Sequence, residues 1–245
     1  MSQQCPGSQE GHSCAEVHQA QHHQPGEGGD CPALLCTGAA SPRVMGVRVY
    51  MGSHTINEKS NHVAMRLTIR IIVYPEHDQA ISDYDIALLE METAVLFSEL
   101  VEPICLPSTS RVFLYGTVCY VGGLLFYGHL AKTLQEAQVG MINQSVCNKL
   151  YDDLTTSRML CAGNLNGGVH AYSGGPLAWT GKGNRWYLAG IMSWGEGCAW
   201  RNCPGVYTKV TGLYDWICEL HKEKIGVVGQ GENTLSFWQE KGLVL

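Results

Sequence analysis

Ala171-Tyr172-Ser173-Gly174-Gly175-Pro176-Leu177 places a serine hydroxyl ahead of two glycines and a proline. Gly174 and Gly175 lack a Cβ, so a second backbone or a ligand can come close. Pro176 fixes the direction in which the chain leaves the turn. A turn of this kind holds a hydroxyl at the mouth of a cleft. Alone, the stretch reads equally well as an ordinary loop. Its neighbours decide the matter: Trp186 to Gly190 reads WYLAG, Ile191 to Cys198 reads IMSWGEGC, and Pro204 to Val210 reads PGVYTKV.

In that order these segments resemble the C-terminal half of the trypsin-like (chymotrypsin-fold) serine proteases. The resemblance implies an all-β chain, a double antiparallel β-barrel of the six-stranded type, with a C-terminal helix. By it Ser173 aligns with the nucleophile. Asp83-Tyr84-Asp85-Ile86-Ala87-Leu88-Leu89 is similar to the family's aspartate motif. Asp85 then corresponds to the acid that orients the catalytic histidine; read alone, it is an aspartate at a strand-end turn. Val101 to Pro107, VEPICLP, resembles the segment that crosses between the barrels. The resemblance covers residues 34 to about 220. It divides the chain into a polar tail at 1–32, a protease-like domain at 33–221 and an unassigned extension at 222–245. The second barrel is expected over about 116–212 and the helix over about 212–221.

The chain departs from the family in two places. The family's histidine lies in a leucine-threonine-alanine-alanine-histidine-cysteine segment, whereas here Leu34-Leu35 runs directly into Cys36. The histidine-bearing piece is therefore expected to be absent, and with it the opening strands of the first barrel. No isoleucine-valine-glycine-glycine start occurs in the sequence. The second departure is Gly167-Gly168-Val169-His170-Ala171-Tyr172, which runs into Ser173 where the family has a cysteine, a variable residue, a glycine and an aspartate. Tyr172 replaces that aspartate, Ala171 a glycine that supplies an oxyanion N–H, and His170 the pocket floor. Ser193, Trp194, Gly195, Gly197 and Gly205 match the remaining pocket positions.

These losses have known magnitudes. Serine hydroxyl is a weak nucleophile near neutral pH and needs an adjacent base. Loss of one oxyanion donor costs about 10²–10³ in rate, and triad members act as a unit, so loss of the base costs several orders more. A cationic or neutral imidazole at His170 does not attract an Arg or Lys side chain. The leading expectation is a catalytically inactive homologue of a serine endopeptidase. The alternatives are an active endopeptidase with a non-standard base and a decoy that captures a peptide or inhibitor without cutting it.

Cys147 and Cys161 match a family disulfide. Cys119 has Trp179 where its family partner would be, and Cys198 has lost its partner ahead of Ser173. The other cysteines stay unassigned. Eleven cysteines in 245 residues suggest an oxidising compartment, and the family is extracellular, although residues 1–32 show no signal peptide. Asn143-Gln144-Ser145 is a glycosylation sequon at Asn143.

Composition narrows the partners. The net charge is −6 and no basic stripe is visible, which argues against nucleic acid. No apolar run is long enough for a membrane span. The implied partner is a polypeptide substrate or inhibitor, with no cofactor and no metal. Cys14, His18, His22 and His23 do not match a closed zinc site.

Periodicity places the elements. Val47, Val49 and Met51 alternate with polar residues, as do Met65, Leu67, Ile69, Ile71 and Val73 with Arg66, Thr68 and Arg70. That period of two predicts half-buried strands, with unpaired edges where the first barrel is truncated. Leu134 to Val139 is a further strand, and Leu213, Trp216, Ile217 and Leu220 fall at helical spacing.

Overall fold

The structure, a computed structural model, describes residues 47–55, 63–126, 129–168, 174–181, 185–195, 200–225 and 243–244. Three strands come first: β1 (Arg48–Met51), β2 (Ala64–Val73) and β3 (Ala87–Met91). Six more follow: β4 (Val118–Phe126), β5 (His129–Ile142), β6 (Met159–Gly163), β7 (Pro176–Thr180), β8 (Trp186–Trp194) and β9 (Gly205–Lys209). Helix α1 (Gln144–Leu150) separates β5 from β6, α2 (Tyr214–Ile225) follows β9, and β10 (Leu243–Val244) comes last.

The second half closes on itself. Its strands run β4-β5-β6-β9-β8-β7 around a closed barrel, all antiparallel neighbours. Closure removes every strand edge. Cys119, Val121, Val139, Met141, Leu160, Leu177, Met192 and Tyr207 fill the interior. The all-β expectation for this half, with a barrel and a C-terminal helix, is met. The helix extends to Ile225, past the expected end near residue 221.

Among the described residues the first half is a four-stranded sheet in the order β1-β2-β3-β10, not closed into a barrel. One expectation for it needs correction. β2 is not an edge, because β1 and β3 flank it on both sides. Part of its apolar row is exposed, with Met65 at 41% and Ile69 at 50%, while Thr68 is buried at 3%. The β2–β3 register also shifts between Thr68 and Arg70, a bulge. An extra residue in one strand moves the following side chains to the other face.

One apolar cluster joins the halves. Ile86, beside β3, packs in one cluster with Leu188 and Ile191 of the barrel and with Leu213 and Ile217 at α2. Tyr74 and Tyr84 lie against that cluster. Within the second half, Cys147 of α1 and Cys161 of β6 are disulfide-bonded with their Cα atoms 6.2 Å apart, as the resemblance implied. Asn143 caps α1: its Oδ1 accepts from the Ser145 N–H at 2.9 Å and from the Ser145 hydroxyl at 2.8 Å.

Candidate functional site

Asp85 stands one turn ahead of β3, at the end of a loop that is fixed from several sides. Asp78 and Asp83 exchange backbone hydrogen bonds at 3.0 Å, and Tyr74 N–H donates to Ile86 O at 3.1 Å. Ser82 and Tyr84 both have φ of 52°. Such values are costly for residues with a side chain and persist where surroundings over-determine them. Here the ring of Tyr84 stacks on Tyr74 with centroids 4.7 Å apart. The Arg158 guanidinium covers the same ring at 4.6 Å. The loop therefore delivers Asp85 in one orientation.

The second barrel takes hold of that aspartate. Ser193 donates its hydroxyl proton to Asp85 Oδ2 at 2.5 Å. Thr208 on β9 donates to the Asp85 backbone oxygen at 2.7 Å. The β8–β9 register shifts between Met192 and Trp194, so Ser193 sits at a bulge. A bulge re-aims a side chain, and this one sends the hydroxyl out of the barrel wall toward the first half. Among the described residues Ser193 is the group that meets the Asp85 carboxylate.

One strand step away, the glycine turn is seated on β8. Gly174 has φ of 79°, a left-handed value natural for glycine. Its N–H donates to Met192 O at 2.6 Å, and Met192 N–H donates to Gly175 O at 2.9 Å. The residue that follows Ser173 is thus pinned to the residue that precedes Ser193. Ser173, His170 and Gly197 lie outside the described residues.

Trp194, at the end of β8, pairs with Val206 of β9, next to Gly205. The indole of Trp194 packs edge-on against Tyr151 at 4.9 Å, and its Nε1 is buried with no hydrogen-bond partner in the described structure. The Tyr151 hydroxyl donates to Pro204 O. A Cβ on Gly205 would meet Tyr207 Cε2 at 2.9 Å and Met192 Sδ at 3.0 Å. Glycine at that position is therefore required by the packing of the strand itself. Gly195 closes the described end of β8.

A cavity of about 610 Å³ opens between the two halves beside Gly174. Met51, Val95, Phe97, Leu106, Leu134 and Ile191 give it an apolar wall, and Glu102 supplies a carboxylate. No imidazole of the described residues lines it. His77 is engaged elsewhere, with Nδ1 3.1 Å from Asp83 O. No group of three or more metal-ligating side chains occurs among the described residues. No helix of the described residues is long and apolar enough to cross a membrane.

Asp83 is a buried carboxylate that the sequence reading passed over in favour of its neighbour. Arg158 donates to it from Nε at 2.9 Å and again from its terminal nitrogen, and Thr156 donates at 3.0 Å. Burial pushes the Asp83 carboxyl up, but these hydrogen bonds and the Tyr84 N–H outweigh burial and hold it below its ordinary value. The signal that could have found it is slight: an aspartate two residues before another in a turn.

A family model described as Trypsin matches residues 36–217. The cattle protein described as "Suppressor of tumorigenicity 14 protein homolog" is 42% identical over 167 residues, which cover 64% of this chain and 19% of that protein. The rat protein described as "Transmembrane protease serine 9" is 42% identical over 154 residues, 60% of this chain and 14% of that protein. The chain thus spans less than a fifth of the length of either relative.

Proposed function

The chain belongs to the trypsin family of serine proteases, and from that premise we propose that it is a member that does not cut peptide bonds. The observation that carries this reading is the company Asp85 keeps. Its carboxylate is met by the Ser193 hydroxyl, and no imidazole of the described residues lies beside it. The sequence agrees, since Leu34-Leu35 runs into Cys36 with no histidine between them. Without a base, the Ser173 hydroxyl has nothing to take its proton. Ser173 and Asp85 are then residual triad positions.

The cleft keeps parts that serve binding. Ser193, Trp194, Gly195 and Gly205 stand at the end of β8 and the start of β9, and His170 and Gly197 belong to the same proposed pocket. The partner is a polypeptide or a protease inhibitor held without turnover. The Cys147–Cys161 disulfide and the exposed Asn143 at the start of α1 support an extracellular setting. The acidic balance of the chain speaks against nucleic acid.

A fluorophosphonate probe, together with an Arg-based amide substrate, tests the reading on the full chain and on Ser173→Ala. Equal, background hydrolysis and no labelling of either protein are expected. Labelling of the wild type that vanishes in Ser173→Ala would replace this reading with an active endopeptidase using a non-standard base.

A further inference from the structure

The two halves of the molecule share a strand order that gives the C-terminal residues a role. In the barrel β7, β8 and β9 form an antiparallel meander, and the far side of β9 is occupied by β6. In the first sheet β1, β2 and β3 form the same meander, and the far side of β3 is occupied by β10. Both outer neighbours run antiparallel. β10 therefore holds the seat in the open sheet that β6 holds in the closed barrel. The difference is origin: β6 precedes its meander in the chain, whereas β10 arrives from beyond α2.

We propose that Leu243–Val244 acts as a replacement strand, supplied in cis by the C-terminal extension to close the β3 edge. The register is specific, with Leu243 opposite Glu90 and Val244 opposite Leu89. β3 is the strand most in need of cover. Its Leu88 and Met91 are 1% and 3% exposed, so it is fixed in the core, yet without β10 one row of its N–H and C=O groups would be unpaired. An open edge of that kind recruits any extended segment, including a second copy of the chain. A segment of the same chain wins that competition over a second molecule because its pairing is intramolecular.

This inference stands apart from the catalytic reading and is tested separately. Hydrogen exchange of the unaltered chain should show whichever of the Leu243 and Val244 amides faces β3 slowed at least tenfold relative to an unstructured peptide of the same sequence. Exchange at the unstructured rate would overturn the proposal. In Leu243→Pro/Val244→Pro, which removes both N–H groups, protection should fall across Ala87–Met91 and persist across Gly205–Lys209. A synthetic peptide of residues 235–245, added in excess, should restore it. Unchanged protection of β3 in the variant would also overturn the proposal. Should the variant aggregate, the measurement on the unaltered chain decides.

Discussion

Arg158 grips Asp83 across 75 residues of sequence, its Nε 2.9 Å from Oδ2. Asp83 belongs to the loop ahead of β3 and Arg158 to the turn ahead of β6, so the pair fastens the open sheet to the closed barrel. The Arg158 side chain is 34% exposed and that of Asp83 4%. Water therefore weakens the ionic part, while the hydrogen bonds to a buried carboxylate remain. Arg158→Leu should cost about 1–3 kcal/mol, the usual range for leaving a buried charged acceptor without its donor. Urea unfolding at neutral pH measures it.

The same pair sets an acid limb. The folded Asp83 carboxyl sits below its ordinary value of 3.8. A depressed carboxylate contributes stability that is complete above the ordinary value and is lost as pH falls through the depressed one. Stability should therefore decline as pH falls below the ordinary value of 3.8, and Asp83→Asn should flatten that acid limb. An equally steep acid limb in Asp83→Asn would assign the effect to other groups.

Cys119 is wholly buried in the barrel core, its thiol pushed up to about 12 by that burial. The thiolate is the reactive form, so this cysteine should be inert to iodoacetamide at pH 8 in the folded chain. Half-buried Cys105 should be alkylated before Cys119. Mass spectrometry of alkylated peptides reads the order. Rapid modification of Cys119 under native conditions would mean the β4 wall opens. Trp179, which stands where the family resemblance places a partner cysteine, packs against the same core and fills the space instead.

Local chemistry was what the sequence made legible. The alternation in β1, the helical spacing from Leu213 and the Asp85 turn each depend on near neighbours, and each came out in place. The bulge at Ile69 did not show, because it depends on how Met91 and Glu90 register with Thr68 and Arg70. Ser193 was placed in a pocket from its motif, but its bond to Asp85 spans 108 residues and needs the bulge in β8. β10 is too short for any period to announce it. The Asp83–Arg158 pair is likewise invisible without the fold that brings its two loops together.

The Cys147–Cys161 bridge closes a loop of sequence separation 14. Constraining such a loop in the unfolded chain is worth about 3 kcal/mol. Cys147→Ala/Cys161→Ala should lose about that much, read as a lower urea midpoint with the barrel still formed. The bridge lies in a cluster with Leu150, Tyr151, Met159 and Val206, which also packs Trp194. Tryptophan fluorescence should therefore shift along with stability. A stability loss with an unchanged emission spectrum would detach Trp194 from the bridge.

Two glycines of the second half should respond to alanine with opposite sign. A Cβ at Gly190 would lie 2.9 Å from Tyr207 Cβ and 3.2 Å from the Thr208 backbone oxygen. Neither atom is the free end of a flexible chain: one is the root of a fully buried tyrosine and the other belongs to the β8–β9 ladder. Gly190→Ala must push β9 away or bend β8, an overpacking cost of about 1–3 kcal/mol. Gly212, between β9 and α2, has nothing within 4 Å of its would-be Cβ. Gly212→Ala removes backbone freedom from the unfolded chain at no steric cost, so it should be neutral or stabilise by up to about 1 kcal/mol. Urea midpoints of the two variants, compared with the parent, give the signs directly. A neutral Gly190→Ala would show that the contact between β8 and β9 at Tyr207 is looser than these distances.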